Sequence, residues 1–335
     1  MIKDTLIVFV ESGLIAAAAL IMGWTIQTPL TDSWESKSLD SYSQRIGEIA
    51  FLDRYIERNP KSWKACIARA EAYSLVYHCQ QAVDDCNRAI ALKSDEVTPY
   101  SLRARAYYYM DKNTEALADF NRVIDAGEST ADNFAFRSLI HTRRHDLVHA
   151  LADGNSAVQL DKRWARGNYA LALAEYKLGD LDKALTAVKQ ACQLDPDGAM
   201  SDVLMAMVLN ETGKSKPAEQ ILNHAIERDA TCGAAYWQLG VINETEKKYT
   251  RAVELCTIAL SLAYDGELRA AAYATRGLSQ LGAGNLKEAL ADCNSAIKSD
   301  SNCKTAMQTR VLVLERMKMP NKAGESTKAI ETLPK

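Results

Sequence analysis

The sequence predicts an all-α fold: a stack of helical hairpins forming a right-handed α–α superhelix, preceded by one hydrophobic helix. Three observations point to it. First, an alanine recurs as Ala82, Ala116, Ala150, Ala184, Ala218, Ala252, Ala289 and Ala323; six of the seven intervals are 34 residues and the seventh is 37. Second, a small or apolar residue follows each of them seven places on, as Ala89, Val123, Ala157, Ala191, Ala225, Ala259, Ala296 and Ile330. Small side chains at that spacing line one helix face and let a second helix approach closely. Third, the chain is 47% apolar but only 7% aromatic, with seven prolines and scarce β-branched runs, a balance that suits helices.

From the N-terminus, residues 1–30 are hydrophobic, residues 31–61 form a polar linker and a capping helix ending at Asn59-Pro60, and residues 62–335 form about eight repeats. Between Thr5 and Ile26 only Glu11 is charged, a run long enough to cross a bilayer as a helix. An uncleaved anchor fits that length. A cleaved signal peptide, against which stands the lack of a good cleavage site after Ile26, and a buried helix are the competing readings. Glu11 would cost on the order of 2–3 kcal/mol inside a bilayer. Lys3 ahead of the run, with Asp32 and Glu35 behind it, favours a membrane-anchored protein with the repeats on the extracytoplasmic side. Secretion after cleavage and a cytoplasm-facing array are the alternatives, and the eight cysteines lean toward a reducing compartment.

Composition and motifs exclude several function classes. The 40 basic and 43 acidic residues are well mixed, with a formal net charge of −3, so no basic field points to nucleic acid. No CxxC pair, GxSxG, phosphate-binding glycine loop or HExxH occurs, so neither an enzyme nor a cofactor is expected. Gly282-Ala-Gly284 reads as a turn between helices. His141, His145 and His149 are spaced by four, which on one continuous helix would line a face fit for a metal. The repeat places His145 in an inter-helix turn and breaks that face, so no metal site is expected. Cys79 reads as a turn residue with nothing beside it to activate the thiol.

Comparing the repeats with one another exposes a charge pattern. With Ala82 and its equivalents at repeat position 20, position 7 reads Arg69, Arg103, Arg137, Leu171, Met205, Leu239, Arg276 and Arg310. Position 23 reads Asp85, Asp119, Asp153, Ala187, Ile221, Leu255, Asp292 and Ser326. Through the seventh repeat every Arg meets an Asp and every apolar residue an apolar one. Positions 7 and 23 are therefore expected to touch across each hairpin, as the structural ion pairs Arg69–Asp85, Arg103–Asp119, Arg137–Asp153 and Arg276–Asp292.

The repeats resemble the tetratricopeptide repeat family. Tyr236-x2-Leu239-Gly240 carries the resemblance, as do Tyr100-x6-Tyr107 with Ala116 and Phe120, and Ala184 with Ala191 and Pro196. Cys86, Cys256 and Cys293 replace the family's second-helix aromatic, and Gly154 leaves that place empty. The resemblance implies a concave groove that binds a protein or peptide partner, lined by positions 2, 5, 6, 9, 12 and 13 of each first helix. Carried over, those positions give Ser101, Arg105, Tyr108 and Tyr109; Phe136 and Arg143; Arg166, Tyr169, Tyr176 and Lys177; and Trp237 and Gln238. The Lys/Asn clamp with which some members hold C-terminal carboxylates is absent, its places being taken by Ile67, Glu71, Leu102, Asp132 and Phe136. The function implied is a non-catalytic interaction scaffold, tethered to a membrane through residues 5–26 or exported across one. The alternative is a structural accessory subunit of a larger membrane complex.

Overall fold

The computed structural model describes residues 39–263 and 266–331. They form seventeen α-helices and, among the described residues, no strand. The hydrophobic run 5–26 lies outside the described residues, as does part of the insertion before the seventh repeat. Among the described residues no helix is long and apolar enough to cross a membrane.

By contact the chain divides into two compact units, up to Asp195 and from Pro196 onward. The first holds α1 (Leu39–Arg58), α2 (Trp63–Leu75), α3 (Cys79–Leu92), α4 (Thr98–Tyr109), α5 (Asn113–Asp125), α6 (Ala131–Arg143), α7 (Leu147–Leu160), α8 (Ala165–Leu178) and α9 (Leu181–Leu194). The second holds α10 (Ala199–Glu211), α11 (Ser215–Arg228), α12 (Gly233–Thr245), α13 (Tyr249–Leu262), α14 (Gly266–Ala283), α15 (Leu286–Ser299), α16 (Lys304–Arg316) and α17 (Pro320–Glu331). From α2 on, each even-numbered helix is the first of a repeat and the next is its partner. Cys79 opens α3 rather than sitting in the turn ahead of it.

The recurring alanines are the contact points of these hairpins. Those from Ala82 to Ala289 have no solvent exposure, and the small residues seven places on, from Ala89 to Ala296, are buried as well. The two helices of a repeat are joined by a tight turn with one residue in the left-handed region. That residue is Tyr77, Asp111, His145, Gly179, Gly213, Lys247, Gly284 or Lys318, the same repeat position in all eight hairpins. Glycine adopts this conformation without a Cβ penalty, yet five repeats use another residue, so the hairpin packing imposes the turn. Ser62 and Thr130 cap α2 and α6 by accepting hydrogen bonds from the backbone N–H groups of Ala65 and Asn133.

Helix α1 serves as the missing second helix of a preceding repeat. Its Leu52 and Ile56 enter the same apolar cluster as Ala65, Ala68, Val83 and Ala106, which covers the first hairpin's otherwise open face. In the second unit, Val203, Leu222, Leu239, Ile242 and Leu255 form the corresponding core.

The empty place at Gly154 is closed by backbone. A Cβ on Gly154 would lie 2.9 Å from the Leu171 Cα, so α8 packs directly over the glycine. Cysteines fill the place elsewhere: Cys86, Cys256 and Cys293 are buried, and Cys256 and Cys293 face Gly240 and Gly277 on the partner helix. Burial pushes the Cys256 and Cys293 thiols up to about 12, so they act as small apolar side chains.

Glu175 on α8 stands where the first two repeats carry Tyr73 and Tyr107. It is 7% exposed, and its Oε2 finds no hydrogen-bond donor among the described residues. Burial pushes its carboxyl above the ordinary glutamate range, with Lys183 opposing. A carboxyl raised in the folded state favours folding fully below its unfolded value and loses that contribution as pH rises through the folded value. Glu175→Leu, matching Leu209 and Leu314 at this position, is therefore expected to stabilise the protein by about 1–2 kcal/mol at pH 7. The gap from the parent should shrink as pH falls into the glutamate range. Urea unfolding of both proteins across pH 4–7 checks this; a gap independent of pH would show that the carboxylate's burial is not its source.

Candidate functional site

The position 7 and position 23 side chains meet. Arg69 donates through Nε and Nη2 to the two carboxylate oxygens of Asp85 at 2.7 and 2.5 Å. Arg103 grips Asp119 at 2.7 Å through both nitrogens, Arg137 grips Asp153 at 2.7 and 2.8 Å, and Arg276 grips Asp292 at 2.9 and 2.7 Å. All four aspartates are buried. Hydrogen bonding to Asp85 holds the Arg69 guanidinium charged well above its ordinary range; burial works against the Asp85 carboxylate. In the eighth repeat the Arg310 Nε donates to the Ser326 hydroxyl at 3.2 Å.

Each of these arginines also makes a contact that the comparison of positions 7 and 23 does not reveal. The remaining nitrogen, Nη1, reaches back to the preceding second helix: Arg69 to Asp53, Arg103 to Asn87, Arg137 to Asn121 and Arg276 to Thr257, at 2.6–3.1 Å. The acceptor lies 16 residues before the arginine, or 19 where the insertion intervenes, and that spacing is the signal in the sequence. One side chain thus closes its own hairpin and ties it to the one before. Committed to these bonds, the position 7 arginines are parts of the framework.

The first-helix face of the first unit carries a different set. Tyr77, Tyr109, Tyr108 and Phe136 form a row, with ring centroids 5.9 Å apart for Tyr77–Tyr109, 5.4 Å for Tyr109–Tyr108 and 5.1 Å for Tyr108–Phe136. Phe136 is buried, stacked on Phe120 beneath it, whereas Tyr77 and Tyr109 are 54% and 45% exposed. The Arg143 guanidinium lies 4.3 Å from the centroid of Tyr108 and that of Arg166 4.5 Å from Phe136. Positive charge over a ring face is held by the ring quadrupole.

Asp132 organises the cations. It accepts a hydrogen bond from Arg166 on α8 and lies 3.6 Å from Arg105 on α4, so one carboxylate on α6 joins three consecutive first helices. Ser101 is engaged likewise, donating to Asn133 at 2.7 Å. The structure therefore gathers Arg105, Tyr108, Tyr109, Phe136, Arg143 and Arg166 into one patch and adds Tyr77 and Asp132. Farther along α8, Tyr169 is buried, Tyr176 half-buried and Lys177 exposed. Trp237 and Gln238 belong to the second unit. There Trp237 donates from its indole nitrogen to Thr275 at 3.0 Å, and Gln238 is buried.

Residues 175–240 match the tetratricopeptide repeat family model. No curated protein matches the chain. Among solved structures, the chain is similar to the Cut9–Hcn1 hetero-tetramer of the APC/C, with a TM-score of 0.69 at 15% identity over 89% of this chain. It spans 58% of that chain's length. A tetratricopeptide repeat protein from Parabacteroides merdae aligns with a TM-score of 0.58 at 14% identity, over 81% of this chain and 99% of that one. A monomeric IFIT1 mutant with m7Gppp-AAAA aligns with a TM-score of 0.58 at 14% identity, over 97% of this chain and 79% of that one. These findings support tetratricopeptide repeats. At such identities the likeness is one of fold.

Proposed function

We propose that this protein is a non-catalytic interaction scaffold that binds an extended, acidic partner segment along the first-helix face of its first unit. The observation that carries the reading is the aromatic row from Tyr77 to Phe136 flanked by Arg105, Arg143 and Arg166. Large rings offer apolar area at little entropic cost, and arginine offers a planar fork for a carboxylate. Arg166 is 13% exposed and held by Asp132, so it stiffens the patch. Arg105 and Arg143, each 27% exposed, are the cations within a ligand's reach.

Selection of random peptides displayed on phage against the full chain tests this. Acidic peptides with an apolar neighbour should be enriched, and Tyr109→Ala combined with Arg143→Ala should weaken them by about tenfold or more. Retention of full affinity by that double variant would remove the patch as the binding site. Reversing Arg105 and Arg166 would be a poorer test, since it sets three carboxylates together and breaks the link between α4, α6 and α8.

A further inference from the structure

We propose that His141, Asp146 and His149 form a binding site for a divalent late-transition ion such as zinc. The three residues come from the facing ends of two helices. His141 lies in the last turn of α6, Asp146 is the N-cap of α7, and His149 is the third residue of α7. Between them the chain reverses through His145, whose φ of 58° makes the turn. That reversal, which removes His145 from the helical face, folds the other two histidines onto one carboxylate.

The geometry has the dimensions of a coordination sphere. The His149 Nδ1 lies 2.8 Å from both carboxylate oxygens of Asp146, and the His141 Nδ1 lies 3.1 Å from Oδ2. One ligand atom from each residue lies within 4.8 Å of the others. An ion bound at about 2.1 Å in tetrahedral geometry sets its ligands roughly 3.4 Å apart. Both imidazole–carboxylate edges are already near that length, so only the edge between the two histidines has to close. His149 has the freedom to close it, with a side chain 69% exposed. The rings stack at a centroid distance of 5.2 Å and an angle of 26°, presenting their Nδ1 atoms to the same point.

The surroundings fit a ligated histidine. The His141 Nε2 faces Asp153 at 3.9 Å, and Arg137 fixes Asp153. A carboxylate behind a metal-bound imidazole orients the ring and increases its basicity. Two imidazoles with one carboxylate select zinc, cobalt, nickel or copper over magnesium or calcium, which prefer all-oxygen sets. Three protein ligands also leave a coordination position open to water or an incoming carboxylate. The set is not a product of the repeat architecture. The same three positions hold Tyr107, Lys112 and Glu115 one repeat earlier and Glu175, Asp180 and Lys183 one repeat later.

Titration calorimetry of the full chain with zinc, run in parallel on three variants, tests the site. Asp146→Ser keeps a capping oxygen, His149→Ala removes an exposed ring, and His145→Ala is the control. The parent and His145→Ala should bind one ion that His149→Ala and Asp146→Ser lose or bind at least about tenfold more weakly. Sites elsewhere, including the cysteines, would be common to all four proteins and cancel in the comparison. Equal zinc uptake by the parent and both ligand variants, or no uptake by the parent, would overturn the proposal and leave a hydrogen-bonded helix cap. Circular dichroism of each variant shows whether it is folded; His149→Gln replaces a ligand variant that is not, and His145→Asn replaces the control.

Discussion

Asp119→Ala is expected to destabilise the protein by about 3 kcal/mol, whereas the double replacement Arg103→Leu with Asp119→Leu should fall within about 1 kcal/mol of the parent. The asymmetry follows from burial. Asp119 accepts two hydrogen bonds from Arg103 in a site where the carboxylate is 8% and the guanidinium 19% exposed. Removing the acid alone strands a part-buried cation, leaving it the Asn87 hydrogen bond and the Tyr100 and Tyr107 rings but no counter-charge. Removing both partners restores the solution that the protein already uses at Leu171–Ala187, Met205–Ile221 and Leu239–Leu255. Asn87 then turns to water. Urea unfolding of the four members of the cycle measures the coupling. A coupling energy near zero would show that the fork contributes nothing beyond its separate side chains.

Gly154→Ala is the second large effect, and its sign is opposite to the usual one. In an exposed helix interior, alanine stabilises by about 1 kcal/mol over glycine. Gly47 on α1 is such a place, exposed and with nothing near an added Cβ. At Gly154 the new methyl would meet the Leu171 Cα at 2.9 Å, its N at 3.2 Å and its Cβ at 3.3 Å. Backbone cannot rotate aside, so α7 and α8 must separate along their contact. The net cost is expected to be about 1–3 kcal/mol, and the bulkier Gly154→Phe should cost more. Thermal unfolding of Gly47→Ala and Gly154→Ala side by side checks the contrast. A rise in melting temperature for both would mean that the helices have room to spare.

Much of the fold is legible because the chain repeats itself. The alanine period marks the hairpins, and paired changes at positions 7 and 23 identify two residues that face each other, since a buried charge and its partner must be exchanged together. The Nη1 contacts to Asp53, Asn87 and Asn121 carry a regular spacing too, but their acceptors are ordinary polar residues of a helix surface. Nothing about Asn87 alone distinguishes a ligand of Arg103 from a solvated amide. Gly154 reads as a vacancy in one repeat's own pattern, because the backbone that fills it belongs to the next.

The candidate patch divides in the same way. Helical spacing puts Arg105, Tyr108 and Tyr109 on one face of α4. It does not show that Asp132 is shared by Arg105 and Arg166, or that Phe136 turns inward to stack on Phe120. It reads the three histidines as a broken face, because periodicity holds only along one helix. Sequence by itself determined the helical hairpins and the four ion pairs inside them, since these depend on local periodicity and charge balance. Only the tertiary structure decided what adjoining hairpins share, the third arginine contact and the helix closing over Gly154, and what the reversal inside one hairpin brings together, the carboxylate that a left-handed turn at His145 sets between two imidazoles. Those depend on contacts that cross from one helix to another, which the spacing of residues along one helix does not encode.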